Sequence, residues 1–192
     1  MIYIGIDPGK DGAVSFITEN SSIRIVDTPT LKVRKGSGKR EFDVAGMVAI
    51  LEGWKEPAHR VFLERIHSMP GQGVASMFSM GEGYGLWQGI LAALGLSYEL
   101  VTPQRWKRAM MDGAPKDKAA SVLVASRLFP GSATLLRGPR GAALDGRADA
   151  LLLAEYGRRT CGGEREQVPS EIGTGAEEAG IPPSDGVPSS EG

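Results

Sequence analysis

The chain has one cysteine, Cys161, and only two histidines in 192 residues. A lone thiol can form no internal disulfide, and no Cys/His cluster is present from which a zinc site could be built. The longest apolar runs, such as residues 90–96, fall well short of the ~20 residues that a membrane span needs, so no membrane role is expected. No charged-then-apolar leader precedes the first strand, and a reducing cytoplasm is the expected compartment. Large apolar residues are almost missing after Cys161, where the chain is Gly, Pro, Ser and Glu. Such a segment cannot bury enough surface to offset its ordering entropy, so 162–192 is expected to be a disordered acidic tail and 1–161 a single domain.

The near-neutral total of -1 conceals an asymmetry. Residues 1–161 contain 21 Lys/Arg and 16 Asp/Glu, whereas 162–192 hold seven acids and Arg165. The body is therefore formally +5 and the tail -6. A basic body favours a polyanionic partner.

Residues 2–7 and 12–18 are β-branched runs around Pro-Gly-Lys-Asp-Gly, which predicts a hairpin, and 22–27 predicts a third antiparallel strand. Residues 29–41, with Lys32, Arg34, Lys35, Lys39 and Arg40 around Gly-Ser-Gly, are expected to be a mobile loop able to follow a phosphate backbone. Apolar Val44, Met47, Val48 and Leu51 have helical spacing over 43–54. A short strand follows at 60–66, then a Gly- and Met-rich connection, a helix at 86–96, and a fifth strand at 97–101. Further helices are expected at 103–111, 116–128 and 143–159. The order βββαβαβα predicts a five-stranded mixed sheet with helices on both faces.

Four acids stand out. Asp7 ends the first strand and Glu64 interrupts an apolar one; an ionised acid in such a place needs a cation or a hydrogen-bond network. Asp145 and Asp149, four residues apart at the start of a helix, project from one face. Together they offer hard oxygen ligands, which suit Mg²⁺ or Mn²⁺ rather than zinc. Two such ions can serve an in-line phosphoryl displacement, so phosphodiester hydrolysis is the reaction that fits. IDPGKDG alone also fits a phosphate-holding ATPase, but that architecture needs a second such domain, which ~160 residues hardly supply.

The pieces IGIDPG (4–9), VFLERI (61–66), SMGEGYGLWQGIL (79–91), TPQRWK (102–107), PKDKAAS (115–121) and DGRADALLLAEYGRR (145–159) occur in an order that resembles RuvC-type Holliday-junction resolvases of the RNase H-like superfamily, in the form found in bacteriophages. The resemblance covers residues 1–159. It implies an RNase H-like α/β fold and a Mg²⁺-dependent endonuclease, with Mn²⁺ substituting, that resolves four-way junctions by paired symmetric nicks with two ions per site. A broader flap or branched-DNA nuclease and a catalytically weak junction binder are the alternatives. It places the metal ligands at Asp7, Glu64, Asp149 and Asp145, the last pair spaced four rather than the family's three residues apart, with Glu82 as substitute for Asp145. Lys107 and Lys118 match basic positions near the scissile phosphate. Arg105, Arg108, Lys116 and the 32–40 loop become phosphate-positioning candidates, and His67 a possible aid to water activation. Met69, Met77, Phe78 and Met80 match a segment that pushes into the junction centre. The glycine-rich helix at 81–96, with Gly81, Gly83, Gly85 and Gly89, matches a two-fold homodimer interface. The compartment implied is the cytoplasm of a bacterium or phage-infected cell.

Overall fold

The computed structural model describes residues 1–33, 38–54, 59–67, 71, 73–115 and 119–163. The meander forms as expected: β1 (Ile2–Ile6), β2 (Ala13–Thr18) and β3 (Ile23–Asp27) pair antiparallel in turn. The basic segment after them is more than a loop, because β4 (Thr30–Lys32) and β5 (Arg40–Phe42) close a two-stranded ribbon; residues 34–37 lie outside the described residues. Helix α1 (Val44–Glu52) starts at the Asp43 cap, whose carboxylate accepts from the Gly46 amide at 3.0 Å. Strand β6 (His59–Glu64) adds parallel to the free edge of β1, and after α2 (Val74–Ala93) strand β7 (Tyr98–Val101) adds parallel to β6. Helices α3 (Pro103–Met110), α4 (Ala120–Leu128) and α5 (Asp145–Gly163) complete the chain. Two 3₁₀ segments, Pro130–Leu136 and Pro139–Gly141, were not expected.

The sheet order is β3-β2-β1-β6-β7, a five-stranded mixed sheet. One face packs Tyr3, Ile17 and Phe62 against Trp106 of α3 and the Leu-rich stretch of α5. The other packs Ile4, Ile6, Phe16 and Leu63 against Met47 and Leu51 of α1 and Trp87 of α2. Each large side chain fully buried in these layers contributes about 1.5–3 kcal/mol by leaving water. Among the described residues, no helix is long and apolar enough to cross a membrane.

Helix α5 lies unusually close to the sheet. A Cβ on Gly5 of β1 would collide with the Ala150 carbonyl oxygen, so only glycine admits the helix at this depth. Helix α5 also runs to Gly163, past the boundary expected near 159–161, and residues 164–192, most of the expected acidic tail, lie outside the described residues.

Helix α2 is the main correction to the sequence reading. The glycine-rich stretch predicts a connection and a late helix start, yet the helix begins at Val74 and ends at Ala93. Glycines within a helix cost about 1 kcal/mol each relative to alanine. Tertiary packing offsets that cost: Trp87 is fully buried, and Gly83 sits where a Cβ would strike the Pro8 carbonyl oxygen and the Phe42 ring.

Candidate active site

Strand alternation decides where the acids go. Tyr3 and Gly5 of β1 face α5, so Asp7, two residues on, emerges on the same side. Phe62 of β6 also faces α5, which gives Glu64 the same direction. The parallel register pairs Ile6 with Leu63, so Asp7 and Glu64 leave adjacent strands side by side at their carboxyl ends. Helix α5 then brings Asp145 and Asp149, one turn apart, to the same end. A groove of about 550 Å³ is lined by Asp7, Asp145 and Asp149 together with Lys10, Arg40 and Met80.

The electrostatics are those of a site short of positive charge. Burial, and next the Glu64 charge, lifts the Asp7 carboxyl from 3.8 to about 8, against the opposing hydrogen bond from the Gly9 amide at 3.2 Å. Burial is also the first cause raising Glu64, with Asp149 adding to it while Trp106 and Lys107 oppose. Asp149 is raised by burial as well; Ser121, Lys107 and its lysine hydrogen bond pull the other way, and Asp145 adds to the rise. The Ser121 hydroxyl itself bonds Met111 Sδ at 3.7 Å. Lys107 Nζ lies 3.7 Å from Asp149 Oδ2, whereas Asp149 Oδ1 is buried with no hydrogen-bond partner. An orphaned carboxylate oxygen among mutually repelling acids, all oxygen donors, fits a hard divalent cation. Among the described residues, however, no three acid, histidine or cysteine side chains are already drawn together as a metal-holding group.

The other sequence-predicted residues divide sharply. Asp145 is exposed, its Oδ1 accepting from the Gly146 amide at 3.2 Å, and it lines the groove with Asp7 and Asp149. Glu82 pairs through its carboxylate with Lys10 Nζ at 3.6 Å and is not among the residues lining that groove. Arg105 pairs with Glu99 at 2.8 Å and lies 5.6 Å from the centre of the Tyr156 ring, its side chain exposed. Arg108 lines a second cavity of about 560 Å³ together with Lys107, Asp145 and Asp149. Arg40 bonds the Lys10 carbonyl at 3.3 Å and the Asp11 carboxylate, tying the basic ribbon to the loop after Asp7. His67 is exposed. Phe78 is 75% exposed, so core packing does not explain it, and neighbouring Val74 is 87% exposed, whereas Met77 and Met80 are half-buried. Lys116, Lys118 and Met69 lie outside the described residues.

One participant escaped the sequence reading. Trp106, inside the TPQRWK motif, donates its indole N–H to Glu64 Oε1 at 2.9 Å. The signal was there in principle: a tryptophan on a short helix that buries its ring still needs a partner for its N–H.

No family model matches the chain. The chloroplastic Holliday junction resolvase MOC1 of Chlamydomonas reinhardtii is 33% identical over 93 residues, a stretch that makes up 48% of this chain and 10% of that protein. Thermus thermophilus RuvC matches in structure with a TM-score of 0.53 and 17% identity, over 84% of this chain and 97% of that one. The T. thermophilus RuvC solved in complex with a Holliday junction substrate matches at 0.51 and 14% identity, over 83% and 96%. The yeast mitochondrial Holliday junction resolvase Ydc2 matches at 0.51 and 16%, over 85% and 80%. These relatives are algal, bacterial and yeast proteins, and none of them carries the bacteriophage part of the resemblance. The sheet order, the helix laid across it and the acids gathered at its carboxyl end thus have one common frame: this chain has the RNase H-like fold of the RuvC-type Holliday-junction resolvases.

Proposed function

We propose that the chain is a homodimeric, Mg²⁺-dependent endonuclease that resolves four-way or other branched DNA by paired symmetric nicks. The observation that carries this reading is the convergence of Asp7, Glu64 and Asp149 from two strands and a helix close enough to raise one another's pKa values, burial being the first cause for each, with Lys107, among the described residues, paired to Asp149. Asp7, Glu64, Asp149 and Asp145 would hold two Mg²⁺ or Mn²⁺ ions, which would supply Lewis acidity toward a phosphodiester and a water. Asp7 and Glu64 fix the site to the sheet. Asp149 and Asp145 set its helical side, and Lys107 places a positive charge beside Asp149 where a substrate phosphate would enter. Lys118 is assigned a similar role on the family resemblance. Lys10, Arg40 and Arg108 supply phosphate contacts that position DNA without reading its sequence. Exposed Phe78 and Val74 serve as apolar wedges at the branch.

The domain is assigned to residues 1–161, with 162–192 as the acidic tail, and the proposed location is the cytoplasm. Purified protein with Mg²⁺ or Mn²⁺ is expected to introduce paired nicks in a synthetic four-way junction and to leave linear duplex of the same sequence largely uncut. Tight junction binding with no cleavage under either metal would instead support a junction-binding relative without chemistry.

The dimer surface is placed on α2. Gly81, Gly85 and Gly89 recur every fourth residue, with open space where each Cβ would stand. They line an apolar hollow of about 540 Å³ with Val48, Leu86 and Ile90. Two such faces can approach closely about a two-fold axis and set two sites symmetrically on two strands. Gly85→Arg is expected to yield a folded monomer by light scattering that nicks one strand at a time. A stable dimer in that variant would remove α2 from the interface.

A further inference from the structure

The geometry points to Trp106 as a positioning residue that orients the Glu64 carboxylate for the reaction, an inference that rests on the nuclease reading of this site. The indole ring is fully buried, in the layer shared with Val101, Met110 and Leu152, so its plane is set by packing on α3, α5 and β7. Its Nε1 reaches Glu64 Oε1 at 2.9 Å. An indole N–H can only donate, so Trp106 is neither a ligand nor a base. It commits one oxygen of Glu64 to a fixed direction and leaves the second oxygen free of that bond.

The helix that carries it is itself anchored. Thr102 Oγ1 accepts from the Arg105 amide at 3.4 Å, and Pro103 opens the first turn. The next residue, Lys107, pairs with Asp149 and holds its ammonium 5.0 Å from the Trp106 ring. Consecutive side chains of α3 therefore address two different acids, one delivered by β6 and the other by α5. The glutamate side chain has three rotatable torsions. Without a partner for Oε1 it would sample orientations in which its oxygens turn away from Asp7 and Asp149, and outer hydrogen bonds of this kind change metal affinity or activity by about 10- to 100-fold.

A purely structural tryptophan would show the same packing, so the test separates shape from the N–H. Replacing Trp106 by 3-benzothienylalanine keeps the bicyclic shape and substitutes sulfur for the N–H; Trp106→Phe is the genetic counterpart. Both are expected to bind a four-way junction in EDTA within about twofold of wild type and to cut it about 10- to 100-fold more slowly. In ¹⁵N–¹H spectra the chain's three tryptophan indoles give three Nε1–H signals. The one lost in Trp106→Phe is expected to lie downfield and to move upfield in Glu64→Ala without any metal. Wild-type cleavage by the benzothienyl protein, or a Trp106 indole signal indifferent to Glu64→Ala, overturns the inference. Should Glu64→Gln itself cut normally, the nuclease reading of the site fails rather than the role of Trp106 alone, and the two failures are told apart.

Discussion

Asp7→Asn is expected to lower junction cleavage by about a thousandfold or more, equivalent to roughly 4 kcal/mol of barrier, while junction binding stays within about threefold of wild type. Asp7 is the carboxylate on which the others converge: Glu64, Asp149 and Asp145 all push its pKa upward. Asparagine keeps the shape and can still accept from the Gly9 amide, but it removes the negative charge that a cation would require. DNA affinity comes mainly from Lys and Arg contacts to phosphates, which the substitution does not touch. Removing one of four repelling acids also lessens repulsion of the DNA, so any change in binding should be toward tighter. Cleavage kinetics beside gel-shift titration on one junction check both halves. Comparable losses of binding and cutting would show that Asp7 maintains the fold instead.

Burial of Asp7 is expected to cost the metal-free protein about 2–4 kcal/mol of stability between pH 4 and pH 8, and Asp7→Asn to make the decline of stability with pH correspondingly shallower. Folding lifts the Asp7 carboxyl from 3.8 to about 8. Across that interval the native state keeps a proton that the unfolded chain has released. The stabilising contribution is therefore complete below about pH 4, declines as pH rises, and is gone above about pH 8. At 1.36 kcal/mol per pH unit the ceiling is about 6 kcal/mol, and the residual solvent contact of Asp7 brings the expected value below it. Glu64 and Asp149, raised for the same first reason, act in the same direction. Urea unfolding in EDTA at several pH values measures the slope. Asp7→Asn should be the more stable protein at pH 8, whereas added Mg²⁺ should stabilise wild type and leave the variant nearly unmoved. A variant less stable than wild type at pH 8 would contradict the charge repulsion on which this rests.

Much of the fold was legible in the residues because local pattern and tertiary demand agree there. The β-branched runs around Asp-Pro-Gly became β1 and β2, and the helical spacing of Val44, Met47 and Leu51 became α1. Where they conflict, the tertiary structure prevails. Glycines at 81, 83 and 85 argue locally against a helix, yet α2 passes through all of them. Trp87 can be buried only if the helix continues, and Gly83 is needed where it crosses Pro8. The basic 29–41 segment reads as a loop because short strands carry little pattern, and its ribbon is visible only in the pairing of Thr30 with Phe42.

The acids divide in the same way. The residues alone showed that Asp7 and Glu64 sit at or within apolar strands and demand a partner, because ionised carboxylates there are costly without one. They also showed that Asp145 and Asp149 share a helical face, since that follows from a period of 3.6 residues. Only the tertiary structure decided that Asp7 and Glu64 stand side by side, because the parallel register of β1 and β6 is a long-range pairing encoded in no local spacing. It alone paired Glu82 with Lys10 and brought Trp106 to Glu64, 42 positions earlier in the chain. Both depend on how deeply α2, α3 and α5 settle on the sheet, a depth set by side-chain volumes summed over the whole core.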